Sequence, residues 1–252
     1  MRLDLYLVEN NFFKTRNKAK QAIDDKAIYV DDKLITKASF DVLPDSKVEI
    51  RGEICPFVSR GGYKLLGAIK AFNLDFKDKV IVDIGSSTGG FTDCSLQNGA
   101  KRVYAIDVGT NQLDDKLRND SRVISMENTN ILDVVSFDSE IDYLVMDVSF
   151  VSIEYLLPGI NKLINDNNSL VCLIKPQFEL GKAYIKNGIV KDRNLHIKVL
   201  KQVSEALEIY NLGIKKLIPS PILGGSGNKE FLALIERNVK SNINFINVCS
   251  KE

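Results

Sequence analysis

Residues 79–93 read KVIVDIGSSTGGFTD, and this stretch decides the fold. Val80, Ile81 and Val82 form a short apolar run rich in β-branched side chains, which predicts a buried strand ending at Asp83. Gly85, Gly89 and Gly90 follow in a tight loop, and Phe91–Leu96 starts a helix. Glycine suits a loop that turns sharply and brings its backbone close to a ligand. A strand, a glycine turn and a helix in that order form the unit with which nucleotide-binding parallel sheets open. A glycine-rich turn with no ligand would look the same in isolation. The spacing here is D-x-G-x-x-x-G-G. It differs from the G-x-G-x-x-G that aims amides at a pyrophosphate, so a dinucleotide such as NAD is disfavoured.

Strands and helices alternate outward from this loop. Leu65, Leu66, Ile69 and Phe72 predict a helix over residues 62–72. RVYAID (residues 102–107), residues 123–126, IDYLVMD (141–147) and LVCLIK (170–175) read as strands, and residues 192–210 as a long amphipathic helix. Two last strands, at 215–218 and 230–236, flank a loop with Pro219, Pro221, Gly224, Gly225 and Gly227, which could lie over a site. The pattern predicts an α/β, Rossmann-like domain with a mostly parallel sheet over residues 60–240.

Residues 1–50 differ in character and predict a small α+β domain of two short helices and a small sheet. Ala19, Ala22 and Ile23 share one helix face, and Asp31-Asp32 falls where a two-residue hairpin turn is expected. Lys14, Arg16, Lys18 and Lys20 stand together without an acid among them, which fits phosphate contacts with RNA and equally a solvated helix face. Residues 51–59, broken by Pro56, read as a linker.

The 252 residues carry a net charge of +1, which argues against attachment to nucleic acid by bulk charge alone. Cys55, Cys94, Cys172 and Cys249 are scattered with no C-x-x-C pair, so no metal site is expected and the thiols read as reduced. Asp4 and Glu9 interrupt the N-terminal apolar pattern, and no run reaches membrane-spanning length. A soluble, cytoplasmic protein is the expectation.

Ligands of open α/β sheets bind beyond the carboxyl ends of the strands. Asp83, Asp107, Asp147 and Lys175 each end a predicted strand, so they should gather on one rim. Asp107 lies 22 residues after Gly85, the separation at which an acid commonly binds ribose hydroxyls, although a turn or cap aspartate would read alike. Lys175 follows the apolar VCLI run and precedes Pro176; a lysine so placed is partly desolvated and wants a partner, which Asp147 could supply. His196, the one histidine, falls in a helix away from the strand ends, so triad chemistry has little support.

Together these segments resemble a known family. RLDLYLVEN, TRNKAKQAI and AIYVDDKLITKAS look like the alpha-L RNA-binding module shared with a ribosomal protein. SRGGYKL, DIGSSTGGFT, MDVSF, IKPQFELGK and GNKEF, in that order, look like the FtsJ-like RNA methyltransferases, and the combination resembles the TlyA family. The D-x-G-x-x-x-G-G spacing is likewise the form found in S-adenosylmethionine-dependent methyltransferases.

The resemblance implies an S-adenosylmethionine-dependent cytidine 2′-O-methyltransferase acting on ribosomal RNA or its subunits, with no membrane or obligate protein partner. It implies a catalytic quartet of Lys64, Asp147, Lys175 and Glu230. It also implies cofactor contacts from Asp83, Gly85, Ser87, Thr88, Gly89, Gly90, Phe91 and Asp107, with Asn130 at the adenine. A side chain at Gly85 would then intrude on the ligand. The family's module usually has Asn-Gly at its hairpin and a glycine before the first strand; here stand Asp31-Asp32 and Lys26. The family is often labelled hemolysin, so a membrane-active protein is one rival reading, and an RNA-binding protein with an inactive Rossmann domain is another.

Overall fold

A computed structural model describes residues 1–52, 54–181, 185 and 188–250. The chain divides into two units, Met1–Arg60 and Gly61–Glu252. The first opens with α1 (Leu3–Glu9) and α2 (Arg16–Asp24). Leu3 and Leu7 on α1, and Ala19 and Ile23 on α2, are fully buried, the four-residue spacing of one helix side. Thr15 caps α2 by accepting from the Lys18 amide at 3.3 Å. β1 (Ile28–Val30) pairs antiparallel with β2 (Lys33–Leu34) and β3 (Val48–Ile50) in a three-stranded sheet. Asp31 and Asp32 turn the hairpin with φ of 47° and 64°, the left-handed pair that such a turn needs and that Asn-Gly enters more easily. The module holds both acids in place. Asp31 accepts from the Lys47 amide at 2.8 Å. Asp32 pairs with Arg51, whose guanidinium also lies over the Tyr29 ring.

The basic run is not uniform. Lys14 and Lys20 are exposed and Lys18 is half-buried. Arg16 instead turns to Asp4, a fully buried carboxylate, at 2.7 Å, and Arg2 binds the same group at 3.0 Å. Arg16 is thus part of the module's own framework. The hydrogen bonds from Arg2 and then Arg16 hold the Asp4 carboxyl well below the usual range. Its contribution to stability is present above the unfolded value near pH ~3.9 and fades as pH falls below it. Asp4→Asn is expected to speed amide hydrogen exchange in α1 and α2 at pH 7, with the gap to wild type closing below about pH 4. An equal gap at both pH values would contradict this role.

The second unit begins with α3 (Gly61–Phe72), which buries Leu65, Ala68, Ile69 and Phe72. In chain order follow β4 (Val80–Ile84), α4 (Gly90–Gln97), β5 (Arg102–Ile106), the short α5 (Asp115–Arg118) and β6 (Val123–Met126). Then come β7 (Tyr143–Met146), α6 (Ile153–Leu163), β8 (Ser169–Ile174), the one-turn α7 (Pro176–Glu179) and α8 (Arg193–Glu208). β9 (Leu212–Pro219), β10 (Phe231–Arg237) and α9 (Phe245–Ser250) close the unit. Among the described residues the sheet has seven strands in the order β6-β5-β4-β7-β8-β10-β9. β4 to β8 run parallel, and β10 runs antiparallel to both neighbours.

This is the mostly parallel, Rossmann-like sheet expected from the alternation. Its central strands are near-continuous apolar runs because helices cover both faces. Ile81, Val82, Leu144, Val145, Leu170 and Val171 are wholly buried, each stabilising the fold by roughly 1.5–3 kcal/mol relative to exposure. Chain direction reverses its progress across the sheet at β4, with β5 on one side and β7 on the other. A crevice beyond the carboxyl ends at such a reversal is where these sheets take ligands.

Candidate active site

A cavity of about 380 Å³ opens beyond β4, β5 and β7. Its wall includes Ile84, Gly85 and Ser87 from the glycine loop, Ile106 and Asp107 from the end of β5, Asn130 and Ile131, and Asp147 to Val151 after β7. Asp107 is the first residue past its strand. Its carboxylate accepts from the Ser87 amide at 2.8 Å and the Gly109 amide at 2.7 Å. Two amides orient it, and a carboxylate retains further acceptor capacity for hydroxyls. Asn130 accepts from the Leu132 amide at 3.1 Å and so caps a short helical turn at the wall.

Gly85 has φ +79°, and a Cβ there would stand 2.9 Å from the Asp147 backbone oxygen and 2.9 Å from Val148 Cγ1. A side chain there would meet the neighbouring strand's exit. Gly89, with φ +95°, meets Leu117 and Leu113, whose methyls would lie 2.2 and 2.8 Å from a Cβ. Its glycine serves packing against α5.

Other loop residues also stand apart from the cavity wall. Asp83 lies inside β4 one residue before its end and is fully buried. Its Oδ2 accepts from Thr92 Oγ1 at 2.6 Å, while Oδ1 has no hydrogen-bond partner. Burial pushes the carboxyl up to about 7 against the pull of Thr92, and the nearby charge of Asp147 adds to the rise. Phe91 faces the core at 3% exposure, and Thr88 and Gly90 shape the turn into α4 without lining the cavity. Of the loop residues singled out in the sequence, Gly85 and Ser87 are the ones at the wall.

Beside the cavity, four charged side chains form two ion pairs. Lys175 is the first residue after β8, and its Nζ lies 2.5 Å from Asp147 Oδ1 and donates to Ser149 Oγ at 2.8 Å. Lys64 projects from α3 and its Nζ meets Glu230 Oε2 at 2.7 Å. Gln177 on α7 donates to the other Glu230 oxygen at 3.2 Å. The sheet register brings the pairs together. Ile174 is opposite Phe231 on β8 and β10, so Lys175 and Glu230 come next across the ladder. Both lysines are 8% exposed and Glu230 is 2% exposed. Charges this far out of water need partners, and these have them. The loop before β10 packs on this cluster, since a Cβ on Gly224 would meet the Glu230 carboxylate and one on Gly67 of α3 would meet Pro221.

Several features escape a reading of the sequence. Phe150 is 90% exposed with φ +65°, a costly conformation for a bulky residue. Its ring centroid lies 4.9 Å from that of Phe178. Its one advance signal is an aromatic residue in the polar turn after MDV. Glu127 accepts from the amides of Asn111, Gln112 and Leu113 at 2.9, 3.0 and 3.3 Å and so holds the loop beyond β5. His196 is a packing residue, with Nε2 3.0 Å from the Val190 carbonyl and its ring edge-on to Phe231. All four cysteines are buried. Lys182, in the run IKPQFELGK, lies outside the described residues.

The FtsJ-like methyltransferase family matches residues 57–237, and the S4 domain matches residues 1–48. Hemolysin A of Brachyspira hyodysenteriae is 41% identical over 239 residues, 92% of this chain and 98% of that protein. The 16S/23S rRNA (cytidine-2′-O)-methyltransferase TlyA of Mycobacterium tuberculosis is 35% identical over 237 residues, 91% of this chain and 87% of that one. A solved structure labelled as a hemolysin, from Streptococcus thermophilus, superposes with a TM-score of 0.78 at 40% identity, covering 99% of this chain and 94% of that one. With an S4 domain at its start and an FtsJ-like methyltransferase domain over most of its length, the chain belongs to the TlyA family.

Proposed function

We propose that this chain transfers a methyl group from S-adenosylmethionine to the 2′-hydroxyl of a cytidine ribose in ribosomal RNA. The observation that carries the reading is the pair of buried Lys175 with half-buried Asp147, backed by Lys64–Glu230, at the edge of a cavity whose wall bears Asp107. The cavity's volume falls in the range of small-molecule sites, about 300–1,000 Å³. Its apolar Ile106, Val108 and Ile131 suit an adenine, and the oriented Asp107 carboxylate suits ribose hydroxyls. Asn130, on the same wall, is assigned to the base. When bound, S-adenosylmethionine supplies a methyl group already activated by its sulfonium charge.

A ribose 2′-hydroxyl is a weak acid and needs help to lose its proton. Lys175 Nζ has Asp147 and Ser149 on two sides, so a third position on the nitrogen remains for the hydroxyl or the alkoxide forming from it. Asp147 holds the lysine in place. Lys64 and Glu230, with Gln177, balance charge beside it and fix the β8–β10 edge. The exposed ring of Phe150, set against the half-buried ring of Phe178, offers a stacking surface for an unpaired base. The S4 module presents Lys14, Lys18 and Lys20 to phosphates. The place of action is that of the ribosomal RNA, the cytoplasm.

Two ion pairs at the rim, with Lys64, Lys175 and Glu230 buried, disfavour the inactive-domain reading, because a fold with no use for them would be as stable with apolar residues. No helix among the described residues is long and apolar enough to cross a membrane.

Calorimetry tests the cofactor assignment. Wild type is expected to bind S-adenosylmethionine and not NAD. Gly85→Val is expected to weaken that binding by ~100-fold or more, because its side chain pushes the loop off the Asp147–Val148 exit and out of register with the ligand. Wild-type affinity in the variant would remove the cavity from the account.

A further inference from the structure

Glu179 has no part in the chemistry above, yet the run IKPQFE places it one helical turn past Lys175. Its half-buried carboxylate reaches the segment after β7. Oε2 accepts from Ser152 Oγ at 2.9 Å, and Oε1 accepts from the Ile153 amide at 3.1 Å. Ser152 in turn accepts from the Glu154 amide at 3.3 Å and caps α6. Burial pushes the Glu179 carboxyl up, while the bonds from Ile153 and Ser152 pull the other way.

Three side chains of residues 175–179 thus join that segment to residues 147–153. Lys175 meets Asp147 and Ser149, the Phe178 ring meets Phe150, and Glu179 meets Ser152 and Ile153. Between the two polar ends sits Phe150 in its left-handed conformation. A bulky residue stays in that region only where its surroundings over-determine it. Lys175 ties down one end of the turn and Glu179 the other.

We propose that Glu179 is a positioning residue for methyl transfer: by holding Ser152 and the Ile153 amide it fixes the Ser149–Phe150 turn, and with it the placement of Asp147 and Ser149 around Lys175. The proposal rests on the assignment of Lys175 and Asp147 to the reaction.

The chain contains no tryptophan, so Phe150→Trp puts a single fluorescent reporter on the turn. In that background, Glu179→Gln is expected to shift the emission and lower the anisotropy. The carboxamide keeps one acceptor and turns an NH2 toward the other donor. Without the reporter, Glu179→Gln is expected to lower kcat by about tenfold or more and leave S-adenosylmethionine affinity within about twofold. Glu179→Asp, which keeps the carboxylate, should recover part of the rate. Unchanged emission overturns the proposal, as does wild-type kcat. Equal losses of kcat, cofactor affinity and thermal midpoint also overturn it, since they mark general destabilisation. If Lys175→Ala keeps full turnover, the assignment of the reaction fails instead, and the emission shift still decides whether Glu179 holds the turn.

Discussion

Lys175→Ala is expected to lower methyl transfer by ~10²–10⁴-fold while S-adenosylmethionine and RNA still bind, since the lysine is placed to act on the hydroxyl. The structural grounds are specific. Lys175 emerges from the end of β8 at 8% exposure, so burial and two polar partners fix its ammonium. Its loss leaves Asp147 without its cation, but that side chain is 20% exposed and water can reach it. The variant is therefore expected to fold, with unchanged circular dichroism and cofactor affinity. Lys175→Arg separates two roles for the same residue. Arginine keeps the positive charge and cannot give up a proton at usable pH. Loss of turnover in Lys175→Arg supports proton removal by the lysine, and retained turnover supports a fixed cation at the alkoxide. Full turnover in Lys175→Ala would contradict both.

The parts of this site that were legible in the sequence are those written in local pattern. β4 announces itself as a β-branched run closed by glycine, and β5, β7 and β8 as apolar runs ending in Asp107, Asp147 and Lys175. An alternating sheet then puts those three residues on one rim without further information. Asp83 shows the limit of this reasoning. β4 extends one residue further than its apolar run suggests, to Ile84, and that single step moves Asp83 from the rim into the core beside Thr92. Two residues of the glycine loop carry a packing role that the pattern does not show: Gly89 lies against Leu113 and Leu117, and Phe91 faces the core.

Pairings between distant residues left no local trace. Lys64 and Glu230 are 166 positions apart, and residue-by-residue resemblance to a family, not periodicity, singled them out. Arg16 looked like one of four equivalent cations because nothing in the run Lys14–Lys20 shows that Asp4, twelve residues earlier, is buried and faces it. Glu179 is silent in the sequence for the same reason, and Phe150 nearly so. Their positions depend on two loops meeting beyond β7 and β8, and strand pattern does not specify loop conformation. The Asp31-Asp32 hairpin is a milder case. The turn was legible, but Arg51, which neutralises Asp32, lies in the stretch read as a linker.

The central claim is that the acceptor is a ribose oxygen. Its most direct test uses the ribosomal RNA substrate with a single 2′-deoxycytidine at the modified position, located beforehand by mapping 2′-O-methyl groups with and without the protein. Lys175, held by Asp147 and Ser149, is proposed to act on that hydroxyl, and removing the oxygen removes the nucleophile while leaving the base and phosphates that bind. The deoxy substrate is expected to bind with nearly the affinity of the ribose form and to accept no labelled methyl group from S-adenosylmethionine. Methylation of the deoxy substrate at that nucleotide would place the group on the base and contradict the lysine-centred account.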